Sequence, residues 1–161
     1  MEYRKLGSSD LKVSVIGYGA WGIGGAPFWN TEGHTKSLNS IKKAYDRGIN
    51  FFDTAPVYGF GHSEELIGKA LKPVRDKVII ATKCGLRWDK EALGSIRKDA
   101  SRNSILQEID QSLKRLGTDV IDLYQVHWPD VETEPKETME TLLELQQKGK
   151  IRYIGVSNYS V

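Results

Sequence analysis

The sequence predicts a parallel α/β fold, and three observations carry that prediction. Short apolar runs alternate along the chain with segments whose apolar residues recur at helical spacing, in the order strand, helix, strand, helix, as far as a fifth strand. The apolar runs are mostly continuous rather than alternating, as in strands covered on both faces. Two connections that follow strands are long, from Gly19 to Lys36 and from Gly85 to about Ala100. Long βα loops lie at the strand C-terminal ends, the side that carries sites in barrels and in open sheets.

The N-terminal stretch MEYRKLGSSD is polar and predicts a hairpin turning at Gly7-Ser8-Ser9. Val13 to Ile16 reads as the first strand of the sheet. The first helix starts at about Ser37, where Leu38, Ile41, Tyr45 and Gly48 share one face, and Ile49 to Phe52 follows as the second strand. Leu66, Ile67, Ala70 and Leu71 mark the second helix, and Val78 to Ala81 the third strand. Ile105, Ile109, Leu113 and Leu116 form an i, i+4, i+8, i+11 stripe that defines the third helix, ahead of a fourth strand from Ile121 to Val126. The fourth helix begins at about Pro135, well suited to a first helical position whose N–H has no intrahelical acceptor. It runs through Met139, Leu142 and Leu143 and stops near Gly149. Ile151 to Val156 is the fifth strand. By itself this alternation fits an open five-stranded sheet as well as part of a barrel.

At 161 residues the chain is long enough for one domain with a real core, and residues 1–161 read as a single domain. Its formal charge is +2 with both signs interspersed, so composition gives no electrostatic case for a nucleic-acid groove or a membrane surface. Arg97, Lys98 and Arg102 cluster, but Asp99 interrupts them, and a solvated loop accounts for them. No run nears the roughly 18 apolar residues of a membrane-spanning helix, and the N-terminus lacks an apolar signal core, which predicts a soluble cytoplasmic protein. Cys84 is the single cysteine and cannot form an internal disulfide, in keeping with a reducing compartment. His34, His62 and His127 lack metal-ligand spacing, so no metal is expected.

The stretch VIGYGAWGIGGAP, from Val15 to Pro27, places Gly17, Gly19 and Gly22 at the G-x-G-x-x-G spacing of dinucleotide-binding Rossmann domains. That fingerprint works where its glycines open a helix whose N-terminal N–H groups receive the pyrophosphate. Here the chain continues through Ile23-Gly24-Gly25-Ala26-Pro27-Phe28-Trp29, which disfavours a helix, and Glu32 comes too early to hold the ribose. The length of the loop and its Trp21, Phe28 and Trp29 suggest a pocket wall.

Polar residues at the strand ends carry the chemistry. FFDTAPVYG delivers Asp53, VIIATKCG Lys83, DLYQVHWPD His127, and YIGVSNYS Ser157 and Asn158; parallel strands bring all of them to one end of the sheet. Taken alone, Asp53 also reads as a turn or cap residue and His127 as a satisfied core histidine. Lys83 is harder to explain as scaffold, because a lysine ending a buried strand needs a counter-charge, and Asp53 one strand away supplies it. Tyr58 lies on the loop just beyond Asp53. A phenol is a poor proton donor near neutral pH unless a cation stabilises phenolate, and Lys83 would be that cation. With His127 hydrogen-bonding the same substrate oxygen, the group predicts a general acid aimed at an oxygen that gains negative charge, as carbonyl reduction by hydride requires. Schiff-base chemistry at Lys83 is the competing reading, and the Asp53 partner, which keeps the amine protonated, argues against it.

Four blocks, GINFFDTAPVYGFGHSEELIGKAL from Gly48, VIIATKCG from Val78, SLKRLGTDVIDLYQVHWPD from Ser112 and GKIRYIGVSNYS from Gly149, join LGSSDLKVSVIGYGAWG near the N-terminus. In order and spacing they make the chain resemble the N-terminal portion of an aldo-keto reductase nearly end to end. The resemblance implies a parallel (β/α)8 TIM barrel, here truncated after about five strands, that binds a nicotinamide cofactor, NADP(H) ahead of NAD(H), without a Rossmann fold. It implies a catalytic tetrad of Asp53, Tyr58, Lys83 and His127, in which Tyr58 protonates the oxygen of a small-molecule aldehyde or ketone while hydride reaches its carbon. It puts Gly19, Ala20 and Trp21 beside the nicotinamide ribose and the substrate, counts Asp53 among the cofactor contacts, and gives Ser157 and Asn158 the carboxamide. Trp88, in the second long loop, is a further candidate for substrate contact. In the family, three more strands and the residues that grip the adenosine end of the cofactor follow the position of Val161. The expectation is therefore a reductase or an inactive fragment of one, self-associating through the unpaired edges of its first and fifth strands. The alternative from another class is a non-catalytic, cofactor-binding regulatory subunit.

Overall fold

The computed structural model describes residues 1–29 and 33–160; Glu32 and Val161 lie outside the described residues. An antiparallel hairpin of β1 (Tyr3–Lys5) and β2 (Lys12–Ser14) comes first, as the turn at Gly7-Ser8-Ser9 predicts. The run Val13 to Ile16, predicted as the first parallel strand, divides instead. Its start pairs within this hairpin, Val15 and Ile16 are exposed, and the first parallel strand is the two-residue β3 (Tyr18–Gly19). The cause is Val13, which packs with Leu11 and Ile79 against Leu6, Phe51 and Tyr153. Its apolarity serves a plug over the N-terminal ends of the strands. Charge ties the plug down: Asp10 accepts from Arg152 Nη2 at 2.9 Å and from the Tyr153 hydroxyl at 3.0 Å, and Arg152 also reaches Asp122.

Helix α1 (His34–Asp46) leads to β4 (Phe51–Asp53), and α2 (His62–Leu71) to β5 (Ile79–Cys84). A small antiparallel hairpin of β6 (Leu86–Arg87) and β7 (Arg97–Lys98) occupies the second long connection, before α3 (Arg102–Leu116). β8 (Ile121–Val126), α4 (Pro135–Gln147) and β9 (Ile151–Val156) follow. Local chemistry sets the helix ends. Ser101 caps α3 by accepting from Ser104 N at 3.4 Å, Gly117 ends it at φ +63°, where a Cβ is disfavoured, and Pro135 opens α4.

β3, β4, β5, β8 and β9 form one parallel sheet in that spatial order. A doubly wound sheet reverses its order at a switch point and carries helices on both faces. Here the order never reverses, and α1 to α4 pack each against the next in sequence. This is the arrangement of barrel staves under an outer ring of helices, which sets the open-sheet alternative aside. The main core lies between the two layers, with Phe52, Ile80 and Tyr124 of the strands fully buried alongside Ile41, Ile67, Ile109 and Leu142 of the helices. α2 and α3 approach closely at Gly68, where an added Cβ would stand 2.5 Å from the Leu116 carbonyl oxygen. The inner face carries residues in register: Asp53, Ala81, Leu123 and Tyr153 in one row, and Lys83, Gln125 and Gly155 in the next. No helix among the described residues is long and apolar enough to cross a membrane.

Candidate active site

All five parallel strands present their C-terminal ends on one side, and backbone bonds continue past them. Ala20 N donates to Asp53 O, Thr54 N to Ala81 O, His127 N to Cys84 O and Ser157 N to Val126 O. Main-chain pairing therefore fixes Asp53, Lys83, His127 and Ser157 relative to one another. β5 runs past its predicted end at Ala81 to Cys84 because β8 pairs with it that far, which puts Lys83 inside the strand and on the inner face.

Lys83 is 5% exposed, and each of its three N–H donors has an acceptor: Asp53 Oδ1 at 2.6 Å, Thr54 O at 2.9 Å and the Tyr58 hydroxyl at 3.4 Å. An ammonium can only donate, so the Tyr58 oxygen accepts and the phenol's own hydrogen is left to point away from Lys83. The second Asp53 oxygen accepts from Gln125 Nε2 at 3.2 Å. Gln125 escaped the sequence reasoning. It lies in register between Lys83 and Gly155, and an added Cβ on Gly155 would press on its Cγ at 3.0 Å. Strand alternation could have found it, since it shares a face with Leu123 rather than with the core-facing Tyr124 and Val126.

Tyr58 stands in a tight turn, its N–H donating to Ala55 O and its carbonyl accepting from Ser63 N. The glycine-rich first loop abuts that turn. An added Cβ on Gly24 would lie 2.8 Å from the Tyr58 carbonyl carbon, and one on Gly59, at φ +62°, would overlap the Gly24 carbonyl. Gly22 opens a 3-10 turn (Gly22–Gly24) rather than an α-helix, so the loop lacks the helix N-terminus of a Rossmann site.

A cavity of about 300 Å³ opens at the strand ends, lined by Trp21, Phe28, Val57, Tyr58, Leu86, Ile96, His127, Trp128 and Asn158. The Tyr58 and His127 rings stand edge to face with centroids 5.7 Å apart, and the Trp21 ring lies 6.3 Å from Tyr58. Burial, aided by the nearby Lys83 charge, pulls the His127 imidazole down from 6.5 to about 3. His127 is thus neutral at physiological pH and can offer a hydrogen bond without carrying a charge. Asn158 Nδ2 donates to His127 O at 2.8 Å and to Ser157 Oγ at 2.9 Å, which orders the lip of the cavity. Three larger surface hollows, beside Lys43 and Arg47 at the end of α1, beside Tyr3 and Lys77, and beside Gly25 and Glu91, contain none of the predicted site residues.

Of the residues predicted from sequence, Trp21, Tyr58, His127 and Asn158 meet at this cavity, Lys83 contacts Tyr58 and links Asp53 to it, and Ser157 reaches it through Asn158. Gly19 ends β3. Ala20 is wholly buried, its methyl in the core and its carbonyl accepting from Ser63 Oγ, so only its backbone borders the site. Trp88 lies outside the cavity. Its ring packs on Phe60 at 5.5 Å and borders a separate space with Pro56, Arg87, Glu108 and Gln111. Leu86, Ile96 and Trp128 supply the wall instead, and Trp128 was signalled only by its place next to His127. Among the described residues no group of three or more His, Cys, Asp and Glu could hold a metal ion.

The Aldo/keto reductase family model matches residues 15–161. The chain belongs to the aldo/keto reductase family. It is 49% identical to aldo-keto reductase YhdN of Bacillus subtilis, over 100% of this chain and 48% of that protein. It is 42% identical to the NADH-specific methylglyoxal reductase of Escherichia coli, over 95% of this chain and 51% of the relative. Among solved structures it is similar to the holo form of aldo-keto reductase AKR11C1 from Bacillus halodurans, with a TM-score of 0.89 and 39% identity over 98% of this chain and 50% of that one. It is also similar to glycerol dehydrogenase AKR11B4 from Gluconobacter oxydans, with a TM-score of 0.87 and 42% identity over 98% and 49%. The chain spans about half the length of the curated relatives it matches. Its five-stranded sheet is accordingly a partial (β/α)8 barrel of the aldo/keto reductase type.

Proposed function

We propose that this chain carries the proton-donating site of a nicotinamide-dependent carbonyl reductase, with Tyr58 as the general acid. The observation that supports it most is one buried ammonium, Lys83 Nζ, in contact with both Asp53 and the Tyr58 hydroxyl. Family membership supports a nicotinamide cofactor, and residues of this chain fit one. Trp21 and Asn158 border the same cavity from opposite edges of the sheet, an indole and a carboxamide suited to a flat ring bearing a carboxamide. In this reading Ser157 and Asn158 hold that carboxamide, and Gly19, Ala20 and Trp21 flank the ribose. When bound, the nicotinamide supplies hydride to the carbonyl carbon. Tyr58 gives its proton to the carbonyl oxygen, along the direction that Lys83 leaves free, and the Lys83 charge stabilises the phenolate that remains. Asp53, steadied by Gln125, holds Lys83, and neutral His127 donates a second hydrogen bond to the same oxygen. Trp21, Phe28, Leu86, Ile96 and Trp128 exclude water and suit a small carbonyl compound with an apolar or flat flank.

The test follows the absorbance of reduced cofactor with a panel of carbonyl compounds that includes methylglyoxal. NADPH, the form the family resemblance favours, and NADH, the form named for the Escherichia coli relative, are run side by side. The expected result is turnover that Tyr58→Phe lowers by about 10²- to 10⁴-fold, with cofactor affinity, read from tryptophan quenching, unchanged. Equal rates for the two proteins would remove Tyr58 as the acid. Tight cofactor binding without turnover would favour the regulatory-subunit alternative.

A further inference from the structure

We propose that Glu108 is a pH-dependent anchor of the β6–β7 hairpin, a positioning residue that sets the Leu86–Ile96 wall of the cavity through Gly85. The inference rests on the carbonyl-reductase reading only for what the wall encloses. Glu108 projects from α3, is 3% exposed, and turns both carboxylate oxygens to one backbone group, Gly85 N, at 3.0 and 3.2 Å. Ser104 Oγ donates to the same carboxylate at 2.9 Å. Gly85 is where both ends of the hairpin meet. It follows the last residue of β5, turns the chain at φ +85°, and its carbonyl accepts from Asp99 N at 3.2 Å just beyond β7. Leu86 and Ile96, carried by this hairpin, face the cavity. A shift at Gly85 is therefore delivered to the wall opposite Trp21.

A purely structural anchor needs no charge, yet here the acceptor is a carboxylate without an ion pair among the described residues. Burial pushes Glu108 up from 4.5 to about 7, against the opposing pull of the Gly85 and Ser104 hydrogen bonds. Arg87 on the hairpin favours the anion, and Asp99 just beyond it disfavours it. Cys84 of β5 and Tyr124 of β8 lie near enough to interact electrostatically with Glu108, and burial holds the protons of both more tightly, so they stay neutral. A proton reaches Glu108 from the small space it shares with Arg87, Trp88 and Gln111. Above the midpoint Gly85 N–H meets a charged acceptor, and its hydrogen bond is roughly twice as strong as to the neutral acid. Raising the pH thus tightens the hairpin, and lowering it loosens the wall.

The experiment is a two-dimensional amide and methyl NMR titration of the chain between about pH 5 and pH 9, with Glu108→Gln and Ser104→Ala beside the wild type. The expected result is that the Gly85 amide and the Leu86 and Ile96 methyls move together with a midpoint near 7. Ser104→Ala removes a hydrogen bond that favours the anion and moves the midpoint up; Glu108→Gln abolishes the transition. If the chain turns over, KM for the carbonyl compound rises about fivefold as the pH falls through this midpoint in the wild type and stays level in Glu108→Gln. The proposal is overturned if the Gly85 amide stays flat, if it titrates while the Leu86 and Ile96 methyls do not, or if the transition survives Glu108→Gln. These resonances are read without turnover, so absence of reductase activity would strike the functional reading and leave the anchor standing.

Discussion

Replacing His127 by glutamine tests the electrostatics of the site with no need for a substrate. The folded imidazole titrates at about 3, pulled down by burial first and by Lys83 second, against 6.5 when free. Between those values the unfolded chain holds a proton that the folded chain does not, so stability falls as the pH falls. The contribution of His127 is fully present above about 6.5 and is lost progressively toward about 3; at about pH 5 the loss is about 2 kcal/mol, and at the acid limit about 5 kcal/mol. Glu108 acts in the opposite sense. Its folded value of about 7 exceeds its reference of 4.5, so its stabilisation is present below about 4.5 and is lost as the pH rises through about 7. The two slopes offset each other in the wild type, and the His127 share emerges only as a difference between proteins. Glutamine keeps an N–H donor of similar size and does not titrate. Urea melts of both proteins at about pH 8 and pH 5 are the assay, with the wild type expected to lose about 2 kcal/mol more than His127→Gln between them. Equal changes in the two proteins, or an imidazole resonance of His127 with a midpoint near 6, would refute the burial argument.

Lys83→Met leaves the Thr54 carbonyl without its donor and Tyr58 without its cation. Turnover should drop at least about 100-fold and stability by about 1–3 kcal/mol, with cofactor affinity measured separately to confirm an intact cavity. Gln125→Leu frees the second oxygen of Asp53. Steady-state kinetics should show kcat down by about tenfold with KM little changed, and a fall in KM affinity alone would contradict the assigned role. Gly68→Ala drives a methyl into the Leu116 carbonyl where α2 and α3 touch. It should cost about 1–3 kcal/mol in urea unfolding, whereas an unchanged midpoint would mean that the helices separate freely.

Parallel strands and the gathering of polar side chains at their ends were legible because each rests on a local rule. A lysine in a buried run demands a carboxylate, and Lys83 finds Asp53 in the structure as that demand requires. Gln125 stayed hidden because a lone polar residue in a strand shows its meaning only through register, here opposite Lys83. Val13 misled for the reverse reason: an apolar run announces burial but not which layer buries it, and the hairpin plug claimed it ahead of the parallel sheet. The second long loop folds into two-residue strands too short to leave a periodic signal, so nothing in the sequence told that Leu86 and Ile96 would turn toward the cavity and Trp88 away from it.

The close approach of Gly24 to Gly59 has a consequence for redesign. Transplanting the segment around Trp21 from a homologue would carry the Tyr58-bearing turn with it, and a donor lacking glycine at either position would displace Tyr58 however well its new side chains pack. Retuning which compounds enter is better attempted on the far side, at Leu86, Ile96 and Trp128, where side chains can be exchanged without disturbing that junction.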